Sequence, residues 1–461
     1  MIMRLRGDPC IASFVLRNTA TQHQRGESDM CKSILAWLTI FGCIFITWCV
    51  PARADCTLAS TPNDGYFDQT WAGAGKGCIT FVGDNRNTTT TTSEVTKIAV
   101  TANGNLLVAG DTSSGSGSWW IGELTSQGAL DPTFGDSDSS GRITGCQMFL
   151  PGGCPTDSRF DFLPQPDGKI LILSNRYLAR TNVGGHVFDT AGVTGGLGYT
   201  NGQYQIATPS GMLFGGDNGA LALTGGNKIF VAGYGFQPTV SADALFGVAR
   251  VNSDLSLDTS FHAATENTVV YAGGEFVATG ASAEAHQILV QSTGRIVLVG
   301  TKGNDYRVTR LNSDGTVDGT FGISGVTILP TTPAPCAGST WQFIPFRAAA
   351  LDGADRILVT GECFDSNYIT VVARLTADGT LDTSKFGIGG FYVSSAFGAC
   401  PSLAVRPRAL AVDTAGRILV GGVCDSEFGV QRLRGDGTLD TTFGIDGLAH
   451  GHFDPTSTLD E

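Results

Sequence analysis

The sequence predicts an all-β protein assembled from about six short four-stranded sheets, and three observations carry that prediction. First, a phrase of the form Asp-Gly-x-Leu-Asp-x-x-Phe-Gly is rewritten along the chain at residues 436–444, 378–387, 314–322, 254–261 and 127–135, and, with Trp for Phe, at 64–71. Its second Asp falls at Asp68, Asp131, Asp258, Asp318, Asp382 and Asp440, with a degraded copy around Asp189, so the period is about sixty residues. A fixed period of this kind marks a repeat array. Second, an apolar phrase keeps step with the first, at 105–110 (NLLVAG), 169–173 (KILIL), 228–233 (KIFVAG), 295–300 (RIVLVG), 356–361 (RILVTG) and 417–422 (RILVGG). It does not alternate with polar residues, so a strand here must be covered on both faces. Third, Gly makes up 63 of 461 residues while the apolar fraction stays at 42%. That balance suits a turn-dense β protein rather than a disordered one.

Within a period the elements follow in a set order. A short apolar piece precedes each apolar phrase, as at 97–101, 348–351 and 409–412, and a Gly-containing turn joins the two into a hairpin. A third strand follows at 247–251, 306–311, 371–375 and 429–433, then the Asp-Gly-x-Leu-Asp loop, then a Gly-initiated fourth strand at 325–329 and 390–393. Four short strands cannot bury an apolar sheet alone. Stacked radially they make a β-propeller, and stacked linearly a solenoid that needs polar caps. Six apolar phrases and an extra half-unit at 64–82 favour a ring of about six blades, with one terminus completing the other's blade. The C-terminal half-unit at 436–453 leaves seven blades as the alternative.

The repeated loop reads as turn chemistry. Asp and Asn bond their own backbone, and Gly takes the positive φ that such turns need. Leu439 and Phe443, like Leu130 and Phe134, are expected to plug the gap between neighbouring blades. The rival reading is calcium at Asp314 and Asp318, but two carboxylates fall short of the about six to eight oxygens calcium takes.

These phrases resemble the bacterial delta-60 repeat family over about residues 64–453, most closely at 295–322, 356–387 and 417–444. The resemblance implies a propeller-like repeat protein outside the cytoplasm and carries no catalytic residues. Three departures stand out. The second unit lacks the terminal aromatic and reads Phe188-Asp189-Thr190-Ala191-Gly192, the third has Leu255 where Gly is expected, and the fifth inserts Lys385. An insertion is expected around 196–218.

The N-terminus points to export. Met30-Cys31-Lys32 opens an apolar run over 33–50 that ends in Pro51-Ala52-Arg53-Ala54, a secretory signal at 30–54 with cleavage after Ala54. Residues 1–29 read as an upstream extension from a mis-set start codon, and 55–461 as a single domain. An uncleaved signal anchor is the alternative, because the run is long enough to span a bilayer. Cysteine usage agrees with an oxidising compartment, since eight of twelve lie beyond the cleavage site. Cys363 and Cys424 each follow a strand-ending Gly by two residues, which suggests the equivalent pairs Cys336–Cys363 and Cys400–Cys424. Cys56–Cys78 and Cys146–Cys154 are then the simplest remainder, with connectivity left open.

Charge excludes some partners. Without residues 1–54 the chain has 23 basic against 39 acidic side chains, about −16, and no basic cluster. Nucleic acid and anionic lipid are therefore not expected, and a soluble monomer that meets a protein or glycan is. No nucleophile elbow, His-Glu-x-x-His or phosphate loop occurs, so no catalytic residue and no cofactor is assigned. His450, His452 and Asp454 form a candidate metal set on a strand, weighed against a frayed C-terminal strand. Trp119, Trp120 and Trp341 could stack on sugar rings or pack between blades. The expected function is a binding or structural module without turnover, with a hydrolase or lyase at the central channel as the alternative.

Overall fold

The structure is a computed structural model that describes residues 6–7, 10–12, 76–78, 93–112, 119–135, 142–144, 160–174, 177–185, 203–205, 213–224, 227–236, 245–261, 264–266, 269–271, 274–278, 283–302, 305–330, 344–365, 367–394, 406–424 and 427–451. It is all-β. Six antiparallel sheets follow one another along the chain, each a meander whose four strands pair in sequence order. The fourth sheet shows the pattern, with Ala283–Val290, Ile296–Lys302, Asp305–Leu311 and Val326–Leu329. The apolar phrase is the second strand of every sheet, and its side chains are buried on both faces, as at Ile170–Ser174. In the first sheet Arg6–Gly7 adds a strand beside Ser93–Val100.

Neighbouring sheets meet through their first strands. Five apolar clusters each draw on two consecutive sheets, so the core lies between sheets rather than inside them. The repeated loop makes that interface. In the fourth sheet Gly315 sits at φ 93, and its N–H donates to Asn312 O at 3.0 Å, closing the Asp-Gly turn. Phe321 then reaches the next sheet, where a Cβ on Gly379 would lie 2.6 Å from its ring, so only glycine fits under the aromatic. The following Gly322 N–H donates to Asp378 O of that sheet at 2.9 Å. Phe386 on Gly437 and Phe134 on Gly185 repeat the contact. The Phe therefore plugs the gap as expected. Leu439 packs against the cluster shared by the fifth and sixth sheets and also covers Gly447 of its own loop.

Two departures from the repeat prove to be one event. The third unit's Leu255 takes φ 64, a left-handed conformation that costs a leucine about 1 kcal/mol or more. It is 0% exposed and packs with Leu171 and Leu178 of the second sheet, the unit without the terminal aromatic. Where the preceding unit's sequence lacks the terminal Phe, the position is freed from glycine and Leu255 packs there itself. Leu255→Ala is expected to cost about 3 kcal/mol of stability by denaturant unfolding. A loss below about 0.5 kcal/mol would mean the gap is filled otherwise.

The segment expected as an insertion is partly structural. Gln203–Gln205 pairs with the third strand of the second sheet, and Leu213–Leu223 begins the third. A further hairpin, Ala264–Glu266 with Val269–Tyr271, lies inside the third unit, and the rest of the expected insertion lies outside the described residues. The C-terminal half-unit also resolves. Leu448–Gly451 pairs with Glu427–Leu433 and completes the sixth sheet with that unit's own fourth strand. The sixth sheet therefore needs no strand from the N-terminus, contrary to the expected exchange of ends, because every unit carries its fourth strand after its own loop.

Candidate functional site

In the third to sixth sheets the penultimate residue of the third strand is an arginine eight residues before the second Asp of the loop, and the turn between folds the two together. In the fourth sheet Arg310 Nε donates to Asp318 Oδ2 at 2.8 Å, with Nη2 2.8 Å from the same oxygen. The guanidinium carbon lies 4.8 Å from the centre of the Phe321 ring, and Nη1 reaches across to the Ala377 carbonyl of the fifth sheet. Arg295, which opens the second strand, adds a second cation 3.2 Å from Asp318 Oδ2. Asp318 Oδ1 accepts from the Thr320 N–H at 3.0 Å and from its hydroxyl at 2.6 Å. The same clamp joins Arg250 to Asp258 over Phe261, Arg374 to Asp382 over Phe386, and Arg432 to Asp440 over Phe443. The inserted Lys385 is absorbed there, because its carbonyl accepts Arg374 Nη2 at 2.7 Å.

Burial alone would raise the carboxyls of Asp258, Asp318 and Asp440, but the bonds outweigh it. Hydrogen bonds from Thr320 and the charge and donation of Arg310 hold Asp318 below the usual carboxylate range. Thr442 and Arg432 do the same for Asp440, and Ser260, Lys228 and Arg250 for Asp258.

The first sheet breaks the pattern. Glu123 stands eight residues before Asp131, in the arginine's place, and Asn105 stands where Arg295 does in the fourth sheet. Asn105 Nδ2 donates to Glu123 Oε1 at 2.7 Å, while the Asp131 carboxylate accepts from Thr133, at 2.9 Å from the N–H and 2.6 Å from the hydroxyl. Neither carboxylate has a basic partner among the described residues. Glu is shorter than Arg and does not reach the second sheet. A cleft of about 390 Å³ is left between the two sheets, with Glu123, Asp131, Asn105, Phe134 and Asp167 among its lining residues. Burial raises the Glu123 carboxyl above its ordinary value; the Asn105 bond opposes this and the charge of Asp131 adds to it.

A second polar contact lies on the first strands. Asp161, buried in the second sheet, accepts Lys97 Nζ of the first sheet through Oδ1 and the Leu221 N–H of the third through Oδ2, at 2.7 Å. One carboxylate thus ties three sheets together.

The residues singled out from the sequence divide. Asp318 is held by two protein cations, and Asp314 caps its own turn by accepting the Thr316 N–H at 2.9 Å. Among the described residues no group of three or more His, Cys, Asp or Glu is placed to share a metal ion. His450 lies on the strand Leu448–Gly451; His452 and Asp454 lie outside the described residues. Trp119 and Trp120 are buried, and Trp119 stacks on Phe160 at 4.9 Å and donates to Ser174 Oγ, so packing between sheets accounts for Trp119. Trp341 lies outside the described residues, as do Cys56, Cys146, Cys154, Cys336 and Cys400. Cys363 and Cys424 occupy the same place in consecutive second strands, and Cys78 lies on Lys76–Cys78. The arginine of the clamp and its replacement by Glu123 were missed. The signal was available, since the residue eight before each loop Asp is Arg in four units and Glu in one.

Five stretches, residues 101–134, 227–261, 291–321, 355–384 and 416–443, match a family described as a domain of unknown function (DUF5122) β-propeller. The chain thus carries propeller-like repeats, and the second sheet is the one that contributes no match. No curated protein matches the chain. Among solved structures it is similar to a streptogramin B lyase, at 12% identity and a TM-score of 0.41 over 74% of this chain and 82% of that one. It is similar also to virginiamycin B lyase from Staphylococcus aureus, at 10% identity and a TM-score of 0.38 over 73% and 83% of the two chains. A protein from Lactobacillus plantarum gives 11% identity and a TM-score of 0.40 over 80% and 97%.

Proposed function

We propose that this chain is an exported, non-enzymatic binding module, a delta-60 repeat β-propeller of about six blades that meets a protein or glycan at the cell surface or beyond it. The observation that carries this reading is how the acidic side chains are used. The loop carboxylates of the third to sixth sheets are spent on arginine clamps between blades, and the one unit that drops its arginine opens a cleft lined by hydrogen-bond acceptors. Among the described residues, no Ser, Cys or His lines that cleft.

Export rests on the signal at residues 30–54, which lie outside the described residues, with an uncleaved anchor as the alternative. The equal placement of Cys363 and Cys424 supports the pairs Cys336–Cys363 and Cys400–Cys424, beside Cys56–Cys78 and Cys146–Cys154. In this reading the protein is a monomer, needs no cofactor and binds neither nucleic acid nor a membrane. A hydrolase or lyase is the second reading, favoured by one observation: Lys97 and Asp161 sit together on first strands, the side a propeller turns toward its channel.

The two readings part in one experiment. The purified chain beginning at Asp55 is screened for turnover against lactones, phosphate esters and polysaccharides, with and without calcium, and is mapped by non-reducing peptide digestion. No turnover and four native disulfides are expected. Turnover abolished by Asp161→Asn would replace the binding reading with the enzymatic one.

A further inference from the structure

The chain itself shows what belongs in the cleft between its first two sheets. At the equivalent place in four other sheets the space is filled from within by a guanidinium, which bonds a loop carboxylate and lies over a phenylalanine ring. In the third, fourth and fifth sheets it also donates to a carbonyl of the next sheet. In the first sheet the receiving half of this nest is intact. Asp131 is oriented by Thr133 as Asp318 is by Thr320, Phe134 rests on Gly185 as Phe321 rests on Gly379, and Gly135 N–H donates to Gly184 O at 3.0 Å as Gly322 does to Asp378 O. Both cations of the fourth sheet's nest are replaced, Arg310 by Glu123 and Arg295 by Asn105. Glu123 takes the arginine's place beside Asp131, and Asp167 of the second sheet, 4.0 Å from Lys169 Nζ, lines the cleft as well. A second observation points the same way. Gln165 lines the cleft, is 8% exposed, and its amide oxygen has no hydrogen-bond partner among the described residues.

We propose that this cleft binds a guanidinium group from outside the chain, seated between Glu123 and Asp131 with its face on Phe134. The inference rests on the binding-module reading and names the ligand chemistry of that same site. A planar fork that pairs with carboxylates and stacks on an aromatic face is a property of guanidinium rather than ammonium. Among the described residues no three of His, Cys, Asp and Glu are placed to share a metal ion, which speaks against calcium, an ion that takes about six to eight oxygens. A cleft of about 390 Å³ has room for an arginyl side chain and part of the backbone carrying it. The net charge of −13 draws a cation toward it.

The test is isothermal titration of the full chain with four probes: the blocked tripeptide acetyl-Gly-Arg-Gly-amide, its lysine counterpart, agmatine as a small free guanidinium, and calcium chloride. The arginine peptide or agmatine is expected to bind, and the lysine peptide to bind about tenfold or more weakly, a difference of one charge-assisted hydrogen bond. Tighter binding of the peptide places the guanidinium on a protein partner, and tighter binding of agmatine places it on a small molecule. Glu123→Arg fills the nest from within, so it should abolish binding and raise the thermal midpoint. Glu123→Gln, which keeps the shape, should weaken binding about tenfold. Binding that survives Glu123→Arg, equal binding of the lysine peptide, calcium binding alone, or no binding of any probe would each overturn the proposal. Failure here leaves the binding-module reading standing, since turnover is what sinks that reading, and turnover leaves guanidinium binding at the cleft to be judged by these titrations.

Discussion

Truncating Phe321 to alanine is expected to destabilise the protein by about 3–5 kcal/mol, as removal of a fully buried aromatic does. Three things go at once. The ring leaves the cluster it shares with Ile357, Val359 and Val371 of the fifth sheet, Gly379 loses the surface it packs under, and Arg310 loses the face it lies on. Glycine cannot move in to fill the void. Because repeat arrays draw stability from interfaces between neighbours, hydrogen exchange should rise first in the fourth and fifth sheets. Urea unfolding measures the total. A loss below about 1 kcal/mol would refute the plug, since surface substitutions stay in that range.

Arg374→Ala carries the second large effect, about 3–5 kcal/mol, through a different mechanism. Arg374 and Asp382 are both buried, and removing the guanidinium leaves a carboxylate in a low-dielectric site without a cation at 2.9 Å. It also takes away the donor to Gly435 O, which ties the fifth sheet to the sixth. Replacing both partners, Arg374→Met with Asp382→Leu, should recover most of the loss, because the cost lies in the orphaned charge. If the double variant is as unstable as the single one, the pair matters for shape rather than charge. The same pairs set the acid limit. Asp258, Asp318 and Asp440 titrate lower in the folded chain than in the unfolded one, so their contribution is complete above about pH 4 and is lost as pH falls through the folded values. Glu123 runs the other way. Its raised carboxyl contributes stability that is present at low pH and is lost as pH rises through its folded value. Thermal midpoints should therefore drop below about pH 4 in the native chain, and by less in Asp318→Asn.

Much of the fold could be read without coordinates because its signals are local. A doubly buried strand needs an unbroken apolar run, and RIVLVG and its five cognates supply it. An Asp-Gly turn needs a residue free to take positive φ, and Gly315, Gly379 and Gly437 mark the turns one period apart. Strand order within each sheet followed, as did the role of the loop Phe. The site was less legible. Its defining change is one residue, Glu123, and its meaning depends on what the other sheets place there.

What the sequence determined by itself is thus the repeated unit: four strands, their turns and the aromatic at the end of each loop. The tertiary structure decided how units answer one another. It showed that the arginine near the end of the third strand in the third, fourth and fifth sheets serves the Asp eight residues later and a carbonyl of the next sheet. It showed that Leu255 stands in for an aromatic missing from the unit before it, and that Glu123 opens a cleft where four sheets hold a guanidinium. It also gave the last sheet its own fourth strand. The physical reason is the range of the interactions. Turn propensity and burial pattern act within a few residues and leave their mark on neighbouring letters. The contacts between sheets join side chains about sixty positions apart, and only the stacking of one unit on the next decides which of them share a cavity, a carboxylate or a ring.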